Sequence, residues 1–240
     1  MPLLLVSGSI LISVWVYFVI IAPLIVRKLQ KEGLNSKPSI PLRKIYTRMS
    51  IPTLYLAVLA LLTGFSNHIQ IFGSIKYDSG ILFPFLGILA LVLFLEPLEW
   101  KCTSPGKQRK LLRIAPRTSR ERLLCALFMW VPAIGEEILY RAVLFGLFYR
   151  LTGNYWTATI VTAVFFATAH RSYGLQAVIS SFLIGLALQY FVYLSGGLYL
   201  SIAFHYIGNV INGMIAGSRQ SKGEIAEDSG PKNKKMAVTG

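Results

Sequence analysis

Acidic residues are scarce in this chain: ten Asp and Glu stand against 24 Lys and Arg, and charged residues of both signs make up only 14% of its 240 residues. A soluble domain carries about 25% charged residues, so this composition cannot clothe a water-facing surface of ordinary size. Cysteine is limited to Cys102 and Cys125, which excludes a disulfide-stapled secreted scaffold, and neither has a second thiol at metal-ligand spacing. Apolar residues, by contrast, reach 54% with a mean hydropathy of +0.58, which excludes disorder for the bulk of the chain. Only helices or closed barrels satisfy their own backbone in lipid, and the apolar runs here have the length of helical spans, about 20 residues each. The expected fold is an all-α, polytopic transmembrane bundle.

Seven apolar runs serve as candidate spans: 2–26, 51–72, 81–99, 123–149, 155–170, 175–194 and 197–216. Between the first two lie Arg27, Lys28, Lys31, Lys37, Arg43, Lys44 and Arg48. Between the third and fourth lie Lys101, Lys107, Arg109, Lys110, Arg113, Arg117, Arg120 and Arg122, and the tail adds Arg219, Lys222, Lys232, Lys234 and Lys235. With seven spans these stretches share one side, which the positive-inside rule makes cytoplasmic; the other side holds Lys76 and Arg150. The net charge of +14 is therefore a mark of topology, and no nucleic-acid partner is expected. The partner is the lipid bilayer, to which basic loops add about 1 kcal/mol per Lys or Arg near anionic headgroups. Run 2–26 has no basic n-region and reads as an N-out anchor, not a cleavable signal. The expected location is a multi-pass integral membrane protein, of the plasma (inner) membrane if the source is prokaryotic. Its organisation is 1–119, transmembrane helices with two basic cytoplasmic segments; 120–217, a helical core; and 218–240, a polar disordered tail.

A charge at mid-span costs roughly 2.5–3.5 kcal/mol on insertion scales, so ionisable residues there are functional candidates. The fourth run contains Pro132-Ala-Ile-Gly-Glu-Glu-Ile-Leu-Tyr-Arg141. Glu137 and Arg141 are four apart and can pair on one helix face, while Glu136 is turned about 100° away. That asymmetry suggests a structural Glu137 and a reactive Glu136. The fifth run ends Phe166-Ala-Thr-Ala-His170, and the seventh holds His205 and Asn209 one turn apart. One membrane histidine is often a packed residue and one Glu–Arg pair a fastener, but the set across three helices reads as a site. Glu96 and Glu99 are assigned to the cytoplasmic interface beside Lys101, where side chains snorkel, and His68 to an outer connection.

Glu136-Glu137-x-x-x-Arg141, Phe166-x-x-x-His170 and His205-x-x-x-Asn209, in this order on successive apolar segments, resemble the CPBP family (CAAX protease and bacteriocin-processing) of intramembrane proteases. The type II CAAX prenyl endopeptidases belong to it. The resemblance covers about 120–217, which becomes a CPBP-like catalytic core. It implies Glu136 as the general base that activates a water, His170 as a holder of that water or of a metal, and His205 and Asn209 as oxyanion donors. Glu137 and Arg141 support the site, and Phe166 packs it. It also implies a membrane-associated peptide or protein substrate, prenylated where the host makes such proteins. The alternative within the family is a non-catalytic member acting in bacteriocin immunity or as a scaffold.

Whether a divalent metal takes part stays open. Glu136, His170 and His205 could form the His₂Glu set of a catalytic zinc site, yet the H-E-x-x-H spacing is absent, and the balance favours no metal. Depth raises a separate difficulty. A span starting at 123 buries Glu136 about 20 Å deep, whereas His170 falls at a span's end. An interfacial or re-entrant helix over 118–131, broken at Pro132, is expected to reconcile the two.

Overall fold

Lipid offers no partner to a free N–H or C=O, so an apolar chain must close its hydrogen bonds locally, and this one does so in helices. The computed structural model describes residues 41–74, 76 and 79–221. In order these are α1 (Leu42–Ser66), α2 (Leu82–Cys102), α3 (Pro105–Arg113), α4 (Ser119–Glu137), a π-helical stretch (Ile138–Leu144), α5 (Phe145–Thr152), α6 (Tyr155–Ala169), α7 (Leu175–Ser195) and α8 (Tyr199–Ser221). Among the described residues there is no strand, only an isolated bridge between Gly73 and Gly197.

Four stretches are long and apolar enough to cross a membrane: Leu42–Ser66, Leu82–Cys102, Ser119–Thr152 and Leu175–Ser195. The seven expected spans are thus not all matched. Run 2–26 lies outside the described residues, as do the basic residues up to Lys37. The fifth run forms α6, an apolar helix of only 15 residues. The seventh forms the 23-residue α8, whose apolar run is interrupted by His205, Asn209, Asn212 and Arg219. α6 falls short by its length and α8 through the polar residues along it. α8 continues to Ser221, past the boundary expected at Ser218, and 222–240 lies outside the described residues.

The break expected at Pro132 does not occur. α4 starts at a capping box, in which the Thr118 hydroxyl accepts from the Glu121 amide and the Glu121 carboxylate accepts from the Thr118 amide. It then runs through Pro132 to Glu137 without interruption. The irregularity comes later, as the π-helical stretch, every residue of which is buried. No break is needed because depth is set by the shared turn at Gly153, not by the start of α4. From that turn Glu136 lies back along α5 and α4 about as far as His170 lies forward along α6, roughly 25 Å in each case. The surplus length of α4 projects beyond the end of α6.

Contacts sort the connections to two ends of the bundle. At one end the Tyr46 hydroxyl donates to the Ile114 carbonyl (2.9 Å), Gly217 packs on Pro116, and Arg219 pairs with Glu96. The segments that carry Arg43 to Arg48 and Arg109 to Arg122 meet at this end. At the other end the Arg150 guanidinium donates to the Asn67 and His68 carbonyls, and residues 72–76 bond to 195–198 through Ser74 N–Gly196 O (3.0 Å), Lys76 N–Ser195 O (2.9 Å) and Leu198 N–Phe72 O (3.1 Å). Small residues let the helices approach: Gly135 of α4 meets Thr53 and Ala57 of α1, and Gly185 of α7 meets Ala163 of α6.

Gly73 makes the second end possible. Its φ is +68° and a Cβ there would collide with the Gly196 carbonyl. Gly73→Val is therefore expected to cost about 2–4 kcal/mol, from left-handed strain plus the steric clash. Thermal unfolding in detergent would show this as a Tm several degrees lower; an unchanged Tm would mean the loop docks otherwise.

Candidate active site

The site assembles where α4 meets the π-helical stretch, with α6 and α8 packed against it. A carboxylate removed from water must find compensation, and Glu137, fully buried, finds two partners. Its Oε1 accepts from His205 Nδ1 at 2.8 Å, and its Oε2 lies 3.5 Å from Arg141 Nε. The expected four-residue pairing is present, but looser than a fork, because the wider π-helical turn begins immediately after Glu137. Arg141 is itself buried and places its guanidinium carbon 4.5 Å from the Phe166 ring centroid, a cation–π contact that compensates part of its lost hydration.

The two imidazoles are oriented by their Nδ1 partners. His170 Nδ1 lies 2.9 Å from the Phe166 carbonyl, which can only accept, so Nδ1 carries the proton. His205 Nδ1 faces the Glu137 carboxylate, with the same consequence. Each Nε2 is thereby left for other chemistry. That of His205 points at Glu136, with Nε2 to Oε2 at 3.8 Å, too long for a direct hydrogen bond. Phe166 stands between the rings, 4.8 Å from His170 and 5.9 Å from His205. Glu136 retains 24% side-chain exposure, where Glu137 has none.

A cavity of about 440 Å³ opens on this cluster. His170, His205 and Asn209 line it; Glu136 does not, and meets it through the His205 Nε2. The structure thus brings Glu136, Glu137, Arg141, Phe166, His170 and His205 into one cluster, while Asn209 stands on the cavity wall without a hydrogen bond to any of them. Tyr173, in the short turn after His170, also lines the cavity.

Glu96 and Glu99, at the end of the bundle that holds Arg219, also line the cavity. Glu96 accepts a two-pronged pair of bonds from Arg219 (2.8 and 2.7 Å), and Arg219 in turn stacks on Trp100 at 4.4 Å. Glu99 accepts from the Ser180 hydroxyl at 2.9 Å. These partners are 123 and 81 residues distant, so no local spacing could have announced them.

As to a metal, no three His, Cys, Asp or Glu side chains gather at metal-holding distances among the described residues. The zinc set of Glu136, His170 and His205 does not fit this geometry.

The fold and site together define an integral membrane protein of helices, with two carboxylates and two histidines converging inside an apolar bundle. Residues 118–211 match the family described as Type II CAAX prenyl endopeptidase Rce1-like, and this match supports the resemblance of that segment to the CPBP family of CAAX proteases. No curated protein and no solved structure matches the chain. The matched segment begins at the cap of α4 and ends within α8, taking in every site residue from Glu136 to Asn209.

Proposed function

We propose that this protein is an intramembrane endopeptidase that hydrolyses a peptide bond of a membrane-associated, prenylated substrate with a glutamate-activated water. The observation that carries it is the line Glu136–His205–Glu137. A fully buried carboxylate fixes one imidazole nitrogen at 2.8 Å and aims the other at a second, partly exposed carboxylate 3.8 Å away. A structural ion pair needs only the first contact.

A water seated beside the gap can touch both Glu136 Oε2 and His205 Nε2, as polar groups too far apart for a direct bond commonly do. Glu136 takes its proton, and the hydroxide adds to the peptide carbonyl. The carbonyl π electrons move to oxygen, where the Asn209 amide donates, and His205 donates from Nε2 as the doubly protonated ring that the two flanking carboxylates favour; each such donor contributes about 3–4 kcal/mol to lowering the barrier. Collapse breaks the C–N bond, and the proton held by Glu136 passes to the leaving amine. His170, its Nε2 free, helps hold the water. The basic end of the bundle faces the cytoplasm by the positive-inside rule, and the family name points to prenylated proteins as substrates.

Purified protein in nanodiscs should cleave a farnesylated peptide, and His205→Ala, checked for folding, should lose that cleavage by about 10²–10³-fold. His205→Ala at wild-type rate would sink the mechanism. Because this chemistry uses no metal, overnight chelation followed by desalting should leave the rate within about twofold. Stoichiometric zinc that is lost on His170→Ala, together with activity restored only by added zinc, would overturn the metal-free mechanism.

A further inference from the structure

One face of α8 carries more polar equipment than the chemistry above uses. Reading along the cavity wall from His205, the next positions on the same face are Gly208 and Asn212, with Asn209 beside them. Asn212 is exposed and lines the cavity, and it has no hydrogen-bond partner among the described residues. Its amide stands open on the cavity wall, free to bond a polar group that enters there. Gly208 adds an independent sign. A Cβ placed there would meet nothing within 4 Å, so helix packing does not demand the glycine. A glycine costs up to about 1 kcal/mol in a helix against alanine, yet what it provides here is bare backbone on the cavity wall. That combination suits another chain lying close against the helix.

We infer that Gly208 and Asn212 form the main-chain rest of the substrate groove: an extended peptide lies along α8 over Gly208, with its reacting carbonyl at His205 and a backbone amide held by the Asn212 side chain. This rests on the endopeptidase reading. The lengths agree. Seven residues of helix separate His205 from Asn212, about 10 Å, and three residues of extended chain span the same distance. Contact through backbone amides makes recognition at this point independent of the side chains that the peptide carries. Asn212 is a positioning residue, since it acts on substrate three residues from the bond that breaks.

The test uses the full chain in nanodiscs and farnesylated peptides in which single backbone amides, two and three residues from the cleaved bond, are replaced by esters. Each ester removes one N–H. In the wild type, one of these replacements should raise KM about five- to tenfold with kcat within twofold, the loss of one hydrogen bond. Asn212→Ala should raise KM for the all-amide peptide by the same factor, and the ester should then add nothing further. Gly208→Val, which puts bulk into open space and should leave Tm within a few degrees, should raise KM at least tenfold. Asn212→Ala with wild-type KM, or ester and alanine effects that simply multiply, would overturn the inference. A second measurement separates it from the protease reading. A photoreactive farnesylated peptide bound to the Glu136→Gln protein should label residues within 205–213. Labelling there without cleavage by the wild type would sink the protease and keep the groove. Labelling elsewhere, even with cleavage intact, would sink the groove.

Discussion

Glu136→Gln is expected to lower peptide hydrolysis by about 10³-fold or more while leaving thermal stability within a few degrees of wild type. The two halves of that expectation have different origins. Glutamine keeps the shape and polarity of the side chain but cannot take a proton from water, and a positioned general base contributes typically 10²–10⁴-fold. Stability should not follow, because Glu136 is partly exposed and its ionic neighbour, the His205 ring, lies at 3.8 Å, while Glu137 holds the same ring at 2.8 Å. Cleavage of a farnesylated peptide, read by mass spectrometry alongside a melting curve, checks both. Wild-type turnover by this variant would remove Glu136 from the chemistry.

Glu137→Ala should do the opposite first: unfold the protein. Arg141 would be left buried without a counter-ion and His205 Nδ1 without its acceptor, and breaking a buried pair from one side costs about 3–5 kcal/mol. The companion variant Glu137→Ala/Arg141→Met removes the stranded charge and should recover most of that stability. Activity should not return with it, since nothing then orients the His205 imidazole. Equilibrium or thermal unfolding in detergent, paired with the cleavage assay, separates the two effects. A double variant that regains hydrolysis as well as stability would show that Glu137 serves only to neutralise Arg141.

The contrast between the adjacent glutamates was legible in the sequence. Four-residue spacing gave Glu137 a counter-ion and left Glu136 turned away, and burial follows that division. What spacing could not supply was the partner that matters most, since the ring that joins them, His205, lies 68 residues on. The depth conflict shows a different limit. Counting from the start of an apolar run assumed that every helix begins at one membrane surface. The turn at Gly153 shows that α4 overshoots α6, so Pro132 is accommodated within an unbroken helix. The partners of Glu96 and Glu99 were hidden for a related reason: they come from other helices, Arg219 and Ser180, far along the chain. Asn212, seven residues from His205 and so on its face, could have been flagged by spacing alone.

By itself the sequence determined that this is a membrane protein of helices, which residues break the apolar pattern, and which family those breaks resemble. These depend on composition and on order along one helix, and both are local. Only the tertiary structure decided that His205 bridges two carboxylates, that the site opens on a cavity, and that Glu96 and Glu99 face inward. Each of these depends on which helix packs against which. In lipid that choice rests on small-residue contacts and buried polar pairs between distant segments, whose strength no single segment reveals.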